Sequence, residues 1–217
     1  PLWSRGLGDV YKRQGICSLN PEVDRLTLSC RMEINARGEV VNHEIFDSVI
    51  HSNYRMTYDA VNKIITDQDP QVRAQYKDLT PMLDLAQDLS NRLIQMRRRR
   101  GEIDFDINEA KVLVNEEGIP TDVQMRERGE GERLIESFML AANETVAEHF
   151  NKMEVPFIYR VHEQPKSDRL RQFFDFITNF GIMIKGTGED IHPTTLQNIQ
   201  EEVEAVSYTH LTLPTKA

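Results

Sequence analysis

An α+β fold is what this sequence predicts, and three observations predict it. Leu26, Leu28, Cys30, Met32 and Ile34 alternate strictly with Thr27, Ser29, Arg31 and Glu33, the two-residue period of a half-buried strand. Met82, Leu85, Ala86, Leu89, Leu93 and Met96 recur instead at steps of three and four, the period of an amphipathic helix. Strand-like and helix-like segments then follow one another without a regular βαβ alternation. That order points to an α+β arrangement of β-hairpins with several amphipathic helices.

Each element has its own reason. Asn35-Ala36-Arg37-Gly38 supplies a turn after the first strand, and residues 40–50 return as a second strand, so a long hairpin is expected. Thr57 can cap a short helix in which Ala60, Val61, Ile64 and Ile65 fall at helical spacing. Asp69-Pro70 marks a boundary, and the long helix from Pro81 runs into Arg97–Arg100 and stops at Gly101, as a helix end should. Residues 111–115 and 121–126 flank Glu116-Glu117-Gly118 and read as a second hairpin. Residues 132–150 form the next helix and 157–160 a short apolar strand. Ser167 can cap a last helix carrying Leu170, Phe173, Phe174 and Ile177.

The two ends stand apart from everything between them. Residues 9–14 back-translate as GATGTGTATAAGAGACAG, and residues 206–211 as GTCTCTTATACACATCT, the reverse complement of nearly the same stretch. Both resemble the transposase end of a sequencing-library adaptor. Residues 1–14 and 206–217 are therefore expected to be adaptor-derived and are set aside from fold reasoning, leaving residues 15–205 as a slice of a longer reading frame. Setting aside Arg5, Lys12, Arg13, Lys216 and Asp9 moves the net charge from −9 to −12. An acidic surface argues against non-specific nucleic-acid coating but not against a locally basic channel. Cys17 and Cys30 lack C-x-x-C spacing and read as reduced thiols of a cytoplasmic protein, with Cys30 a buried strand residue. No apolar run approaches transmembrane length.

Candidate chemistry is sparse. Arg97-Arg98-Arg99-Arg100 is either a solvated helix terminus complementing the helix dipole or a set of phosphate contacts. Glu102-x-Asp104-x-Asp106-x-Asn108-Glu109 suggests a calcium loop but puts Glu109 where glycine is required and Asn115 where a bidentate glutamate belongs. No metal ligand is assigned there. Phe105 within it is a core anchor or a stacking platform for a base. On a helical wheel with Glu136 at zero, Asn143 lies at roughly −20° and Leu140 at roughly +40°. A carboxylate and an amide thus share a stripe hemmed by apolar side chains, which joins an internal hydrogen-bond network or faces a ligand. His162 and Glu163 are too few for a metal site. Gly186-Thr187-Gly188 lacks the Lys-Ser/Thr of a phosphate-binding loop.

Several segments in collinear order carry a resemblance. They are Gly15-Ile16-Cys17-Ser18-Leu19-Asn20-Pro21 with Val23-Asp24-Arg25-Leu26, Arg55-Met56-Thr57-Tyr58, and Arg100-Gly101…Phe105…Glu109-Ala110-Lys111. Leu134-Ile135-Glu136-Ser137-Phe138-Met139-Leu140-Ala141-Ala142-Asn143 and Tyr159-Arg160-Val161-His162-Glu163-Gln164-Pro165 complete the set. Together they resemble the catalytic (RNB) domain of the ribonuclease II and ribonuclease R exoribonucleases, more the second than the first, over essentially all of residues 15–205. The resemblance implies a partial RNB-type domain from a processive 3′-to-5′ exoribonuclease that uses Mg²⁺ and releases nucleoside 5′-monophosphates from single-stranded RNA. DNA and membranes are not expected partners.

The family's aspartate-rich metal motif and its downstream arginine motif are not in this chain. The resemblance therefore puts no catalytic residue here, and the slice alone is expected to be inactive. It does imply two RNA-binding residues: Phe105, stacking on bases at the RNA 3′ end, and Glu136, a helix carboxylate near the terminal nucleotide. The rival expectation is a non-catalytic RNB-like RNA-binding or regulatory module.

Overall fold

The structure is a computed structural model and describes residues 18–103, 109–115, 118–126, 128–161, 165–179, 181–182 and 193–205. Strands β1 (Asp24–Ile34) and β2 (Val40–His51) come first, followed by helices α1 (Tyr58–Ile65), α2 (Pro70–Gln75) and α3 (Thr80–Arg99). A second strand pair, β3 (Glu109–Val114) and β4 (Pro120–Arg126), precedes helices α4 (Glu130–Lys152), α5 (Ser167–Thr178) and α6 (Pro193–Ala205). The strands form two separate two-stranded sheets, so the predicted α+β class holds. Contacts divide the chain into two units, Pro1–Leu93 with Arg126–Pro156, and Ile94–Met125 with Phe157–Ala217.

In the first unit, β1 and β2 pair antiparallel from Asp24↔His51 to Ile34↔Val40, with a bulge between Glu33 and Ile34. The turn is held by Asn35, whose Oδ1 accepts from the N–H groups of Arg37 (2.8 Å) and Glu39 (3.1 Å). Gly38 takes the left-handed conformation, φ 81°, that glycine adopts without strain. The expected buried face of this hairpin is only half covered. Met32 and its cross-strand partner His43 meet α4, through Thr145 Oγ1 and His149 Nδ1. At the other end Leu26 is 87% and Leu28 75% exposed, because α4 does not extend over them. Cys30 lies between these regimes and is half-buried rather than buried; what burial it has pushes its thiol pKa up, so little reactive thiolate forms near neutral pH.

Thr57 caps α1 as expected, accepting from Ala60 N–H. Asp69-Pro70 is more than a boundary: Asp69 Oδ1 accepts from Gln71 and Val72 N–H, and Pro70 occupies the first turn of α2, where a missing N–H costs nothing. Ile64, Ile65, Leu83 and Leu134 form the core cluster, with Val61 and Phe138 packed against it. Each such fully buried aliphatic side chain contributes about 1.5–3 kcal/mol. The buried stripe of α3 is rotated from the expected one. Leu93 is buried as expected and Ala86, Leu89 and Met96 are half-buried, but Met82 and Leu85 are exposed, while Leu83, Ser90 and Arg97 are buried.

In the second unit the chain turns at Asn115, which accepts from Gly118 N–H and, through Oδ1, from Ile119 N–H. This sets the β3–β4 hairpin where the sequence places it. Ile177 of α5, Ile182 and Ile199 of α6 are buried. Two expectations fail here. Ser167 is the first residue of α5, and the N-cap is Lys166, which makes no side-chain capping bond. Residues 157–160 belong to no strand. Their Phe157 and Tyr159 rings pack edge-to-face at 5.3 Å, and Ile158 is 95% exposed. A strand needs a partner for its ladder, and no described strand supplies one.

Candidate functional site

Helix α4 carries the residue for which the sequence makes the strongest case. Its buried residues are Gly131, Leu134, Ser137, Ala141 and Thr145. Thr145 is nine positions beyond Glu136, which at 3.6 residues per turn is roughly half a revolution away. Glu136 therefore looks away from the buried face, alongside the exposed Asn143 and Met139. On the buried side Thr145 Oγ1 donates back to Ala141 C=O at 2.7 Å.

Glu136 has one partner that the sequence reading missed. Arg128, in the approach to α4, donates from Nη2 to Glu136 Oε2. The side chains of both are part exposed, at 33% and 43%.

The start of α4 is fixed from outside the helix. Its N-cap is Gly129, which has no side chain to cap with. Asn62 of α1 does that work: its Oδ1 accepts from Gly131 N–H at 2.7 Å, and its Nδ2 donates to Glu132 Oε2 at 3.2 Å. A Cβ on residue 129 would come within 2.3 Å of Asn62 Nδ2, so a side chain there would displace the capping amide. The signal available in the sequence was a glycine where a capping residue belongs, just before a well-patterned helix.

The arginine run divides. Arg97 is buried, and its Nε donates to Glu102 Oε1 (3.0 Å) and Oε2 (2.9 Å). Glu102 N–H in turn donates to Arg97 C=O at 3.1 Å, across Gly101 at φ 94°, which closes the helix end by a 6→1 bond. Arg97 is thus a structural member of the run, whereas Arg98 is exposed. Phe105, with Asp104 and Asp106, lies outside the described residues, as do His162, Glu163 and 186–188. Among the described residues no three His, Cys, Asp or Glu side chains come together to hold a metal ion, so they offer no donor set for one. Among them, too, no helix is long and apolar enough to cross a membrane.

The model of the RNB domain family matches residues 12–214. The chain belongs to the RNB family. The matched span reaches into both terminal segments that the nucleotide pattern sets aside. This RNB chain is 49% identical over 190 residues to Ribonuclease R 1 of Lactococcus lactis, covering 88% of the chain and 23% of that relative. It is 41% identical over 191 residues to Ribonuclease R of Thermotoga maritima, covering 88% of the chain and 26% of the relative. The RNB chain thus spans about a quarter of the length of the curated relatives it matches.

Among solved structures it is similar to Mycoplasma genitalium RNase R in complex with ribose methylated single-stranded RNA, at TM-score 0.78 and 24% identity, over 90% of this chain and 30% of that one. The same enzyme in complex with double-stranded RNA gives TM-score 0.79. At that identity the likeness shows that the RNB fold is shared.

Proposed function

We propose that this chain is part of a ribonuclease R-type enzyme that hydrolyses RNA from its 3′ end, processively, to nucleoside 5′-monophosphates. The observation that carries the reading is the 49% identity to Ribonuclease R 1 over 190 residues, which takes in the helix bearing Glu136. RNA hydrolysis of this type uses bound metal to activate water and stabilise the leaving oxygen, and Mg²⁺ is the ion the family resemblance implies.

Within this chain the proposed work is recognition of the RNA. A carboxylate accepts hydrogen bonds and donates none, so at an RNA 3′ end Glu136 can hold a ribose hydroxyl but not a phosphate. The hydroxyls of ribose are also what separates RNA from DNA at a given position. Phe105 contributes a face for base stacking, which tolerates any sequence because every base has a π-face.

The test is a transplant. Residues 15–205 replace the matching segment of Lactococcus lactis Ribonuclease R 1, and 5′-labelled RNA is followed with time. Conversion of full-length RNA to a short 5′-labelled end product with few intermediates, with monophosphates released, is expected. A folded, soluble chimera that leaves RNA intact, while binding it, would favour the rival binding-module reading.

A further inference from the structure

An exposed ion pair on a helix contributes little to stability, so the Arg128–Glu136 pair needs another account. Glu136 lies on the outward face of α4, beside the exposed side chains of Ile135 and Met139. Arg128 precedes a point of fixed backbone, since Asn62 pins Gly131 at 2.7 Å and its amide lies close against Gly129. The guanidinium thus reaches from an anchored root along the first two turns of α4 to a carboxylate eight residues on.

An isolated carboxylate facing an RNA end is repelled by the phosphates beside the hydroxyl it would hold. A cation in contact with it offsets that charge and restricts the orientation of its oxygens. We propose that Arg128 is a positioning residue for Glu136, holding the carboxylate in one direction and neutralising it as the anionic RNA end approaches. The proposal rests on Glu136 contacting the terminal nucleotide. The contact with Glu136 is made by one guanidinium nitrogen, Nη2, and the positive charge it carries is what the positioning role calls on.

The experiment uses the 217-residue chain and two 5′-labelled oligoribonucleotides, one ending in an ordinary ribose and one in a dideoxyribose. Binding is read by fluorescence anisotropy at several salt concentrations, with thermal melts of every variant as a check on folding. Glu136→Gln is expected to lower affinity for the ribose-ended strand roughly tenfold, the worth of a charge-assisted hydrogen bond, and to leave the dideoxy strand unchanged. Arg128→Gln should reproduce most of that loss and add no more than about twofold in the Glu136→Gln background, as expected when two residues act as one unit. Arg128→Lys should restore the ribose preference.

A loss from Arg128→Gln that persists in the Glu136→Gln background, with a shallower salt dependence, overturns the proposal and makes Arg128 a phosphate contact in its own right. Full affinity in Arg128→Gln beside a weakened Glu136→Gln overturns it while leaving the Glu136 reading standing. An unaffected Glu136→Gln, or a wild-type chain that does not distinguish the two strands, overturns both.

Discussion

The side-chain oxygen of Asn62 accepts a hydrogen bond from the backbone N–H of Gly131 at 2.7 Å, so helix α4 is capped from a different helix rather than by its own N-cap residue. This ties α1 to the helix that carries Glu136 and fixes where α4 begins. Removing the cap with Asn62→Ala should cost about 1 kcal/mol, the usual worth of an N-cap side chain. Gly129→Ser alone should also destabilise, by about 1–3 kcal/mol, because its Cβ meets Asn62 at 2.3 Å. In the Asn62→Ala background the obstruction is gone and serine can cap the helix itself. The double variant should therefore be more stable than either single one. Urea denaturation of the four proteins checks this, and simple additivity would refute it.

Arg97 and Arg98 are neighbours in one basic run but should respond in opposite ways. Arg97 is 8% exposed and bonded to both oxygens of Glu102. Glu102→Ala leaves a buried guanidinium without that carboxylate. Because Glu102 is itself 33% exposed, the cost should fall below the 3–5 kcal/mol of a fully buried pair, at about 1–3 kcal/mol. Arg98→Ala, at the surface, should stay within about 0.5 kcal/mol of wild type. Equal melting temperatures for the two variants would show that the Arg97–Glu102 pair is not structural.

What the sequence made legible were the elements whose cause is local. The first hairpin follows from strict alternation on one strand and from Asn35 and Gly38 in its turn, and α1 follows from Thr57. The elements that were missed depend on something distant or too short to show a period. Helix α2 has six residues, fewer than two turns, so only its start was visible as Asp69-Pro70. The stripe of α3 was placed to one side of the true one, sharing Leu93 with it, because the buried face also includes Ser90 and Arg97, which no hydrophobic pattern marks. Residues 157–160 have the composition of a strand, but composition does not provide a ladder partner. At the candidate site, the outward face of α4 followed from the wheel once the buried side was known. Arg128 and Asn62 could not be found that way, because their contacts are set by how the chain enters the helix.

The uncovered end of the first hairpin should behave as an adhesive surface. Leu26 and Val49 are cross-strand partners, and with Leu28 they are 87%, 62% and 75% exposed on one face. Contiguous apolar exposure of this kind drives association and dye binding. The triple variant Leu26→Thr, Leu28→Thr, Val49→Thr should reduce anilinonaphthalene-sulfonate fluorescence and concentration-dependent light scattering. Threonine keeps the strand propensity, so the hairpin itself should persist. Unchanged scattering would mean that association arises elsewhere.

Phe105 poses a choice between core and stacking platform, and one substitution separates the two. In the Ribonuclease R 1 chimera, Phe105→Ala should weaken binding of the RNA 3′ end by about 1–3 kcal/mol, the range for a stacked base, with little change in melting temperature. A core phenylalanine would behave in reverse: truncation costs about 3–5 kcal/mol of stability, and RNA affinity per folded molecule is preserved. Melting and anisotropy on the same preparations decide between them.

The joint between the hairpin and α4 should depend on the imidazole pair. His43 Nε2 and His149 Nδ1 lie 2.9 Å apart, and beside them Thr145 Oγ1 donates to Met32 Sδ at 3.3 Å. A hydrogen bond between two imidazoles needs one donor and one acceptor, so removing one ring takes this partner from the other. His43→Ala should destabilise the chain by about 1 kcal/mol and weaken the nuclear Overhauser effects between the Met32 and Thr145 methyl groups. In His43→Gln the side-chain amide can donate or accept, so most of that loss should be recovered. Unchanged stability and unchanged Met32–Thr145 contacts in His43→Ala would show that the imidazole pair does not hold the hairpin to the helix.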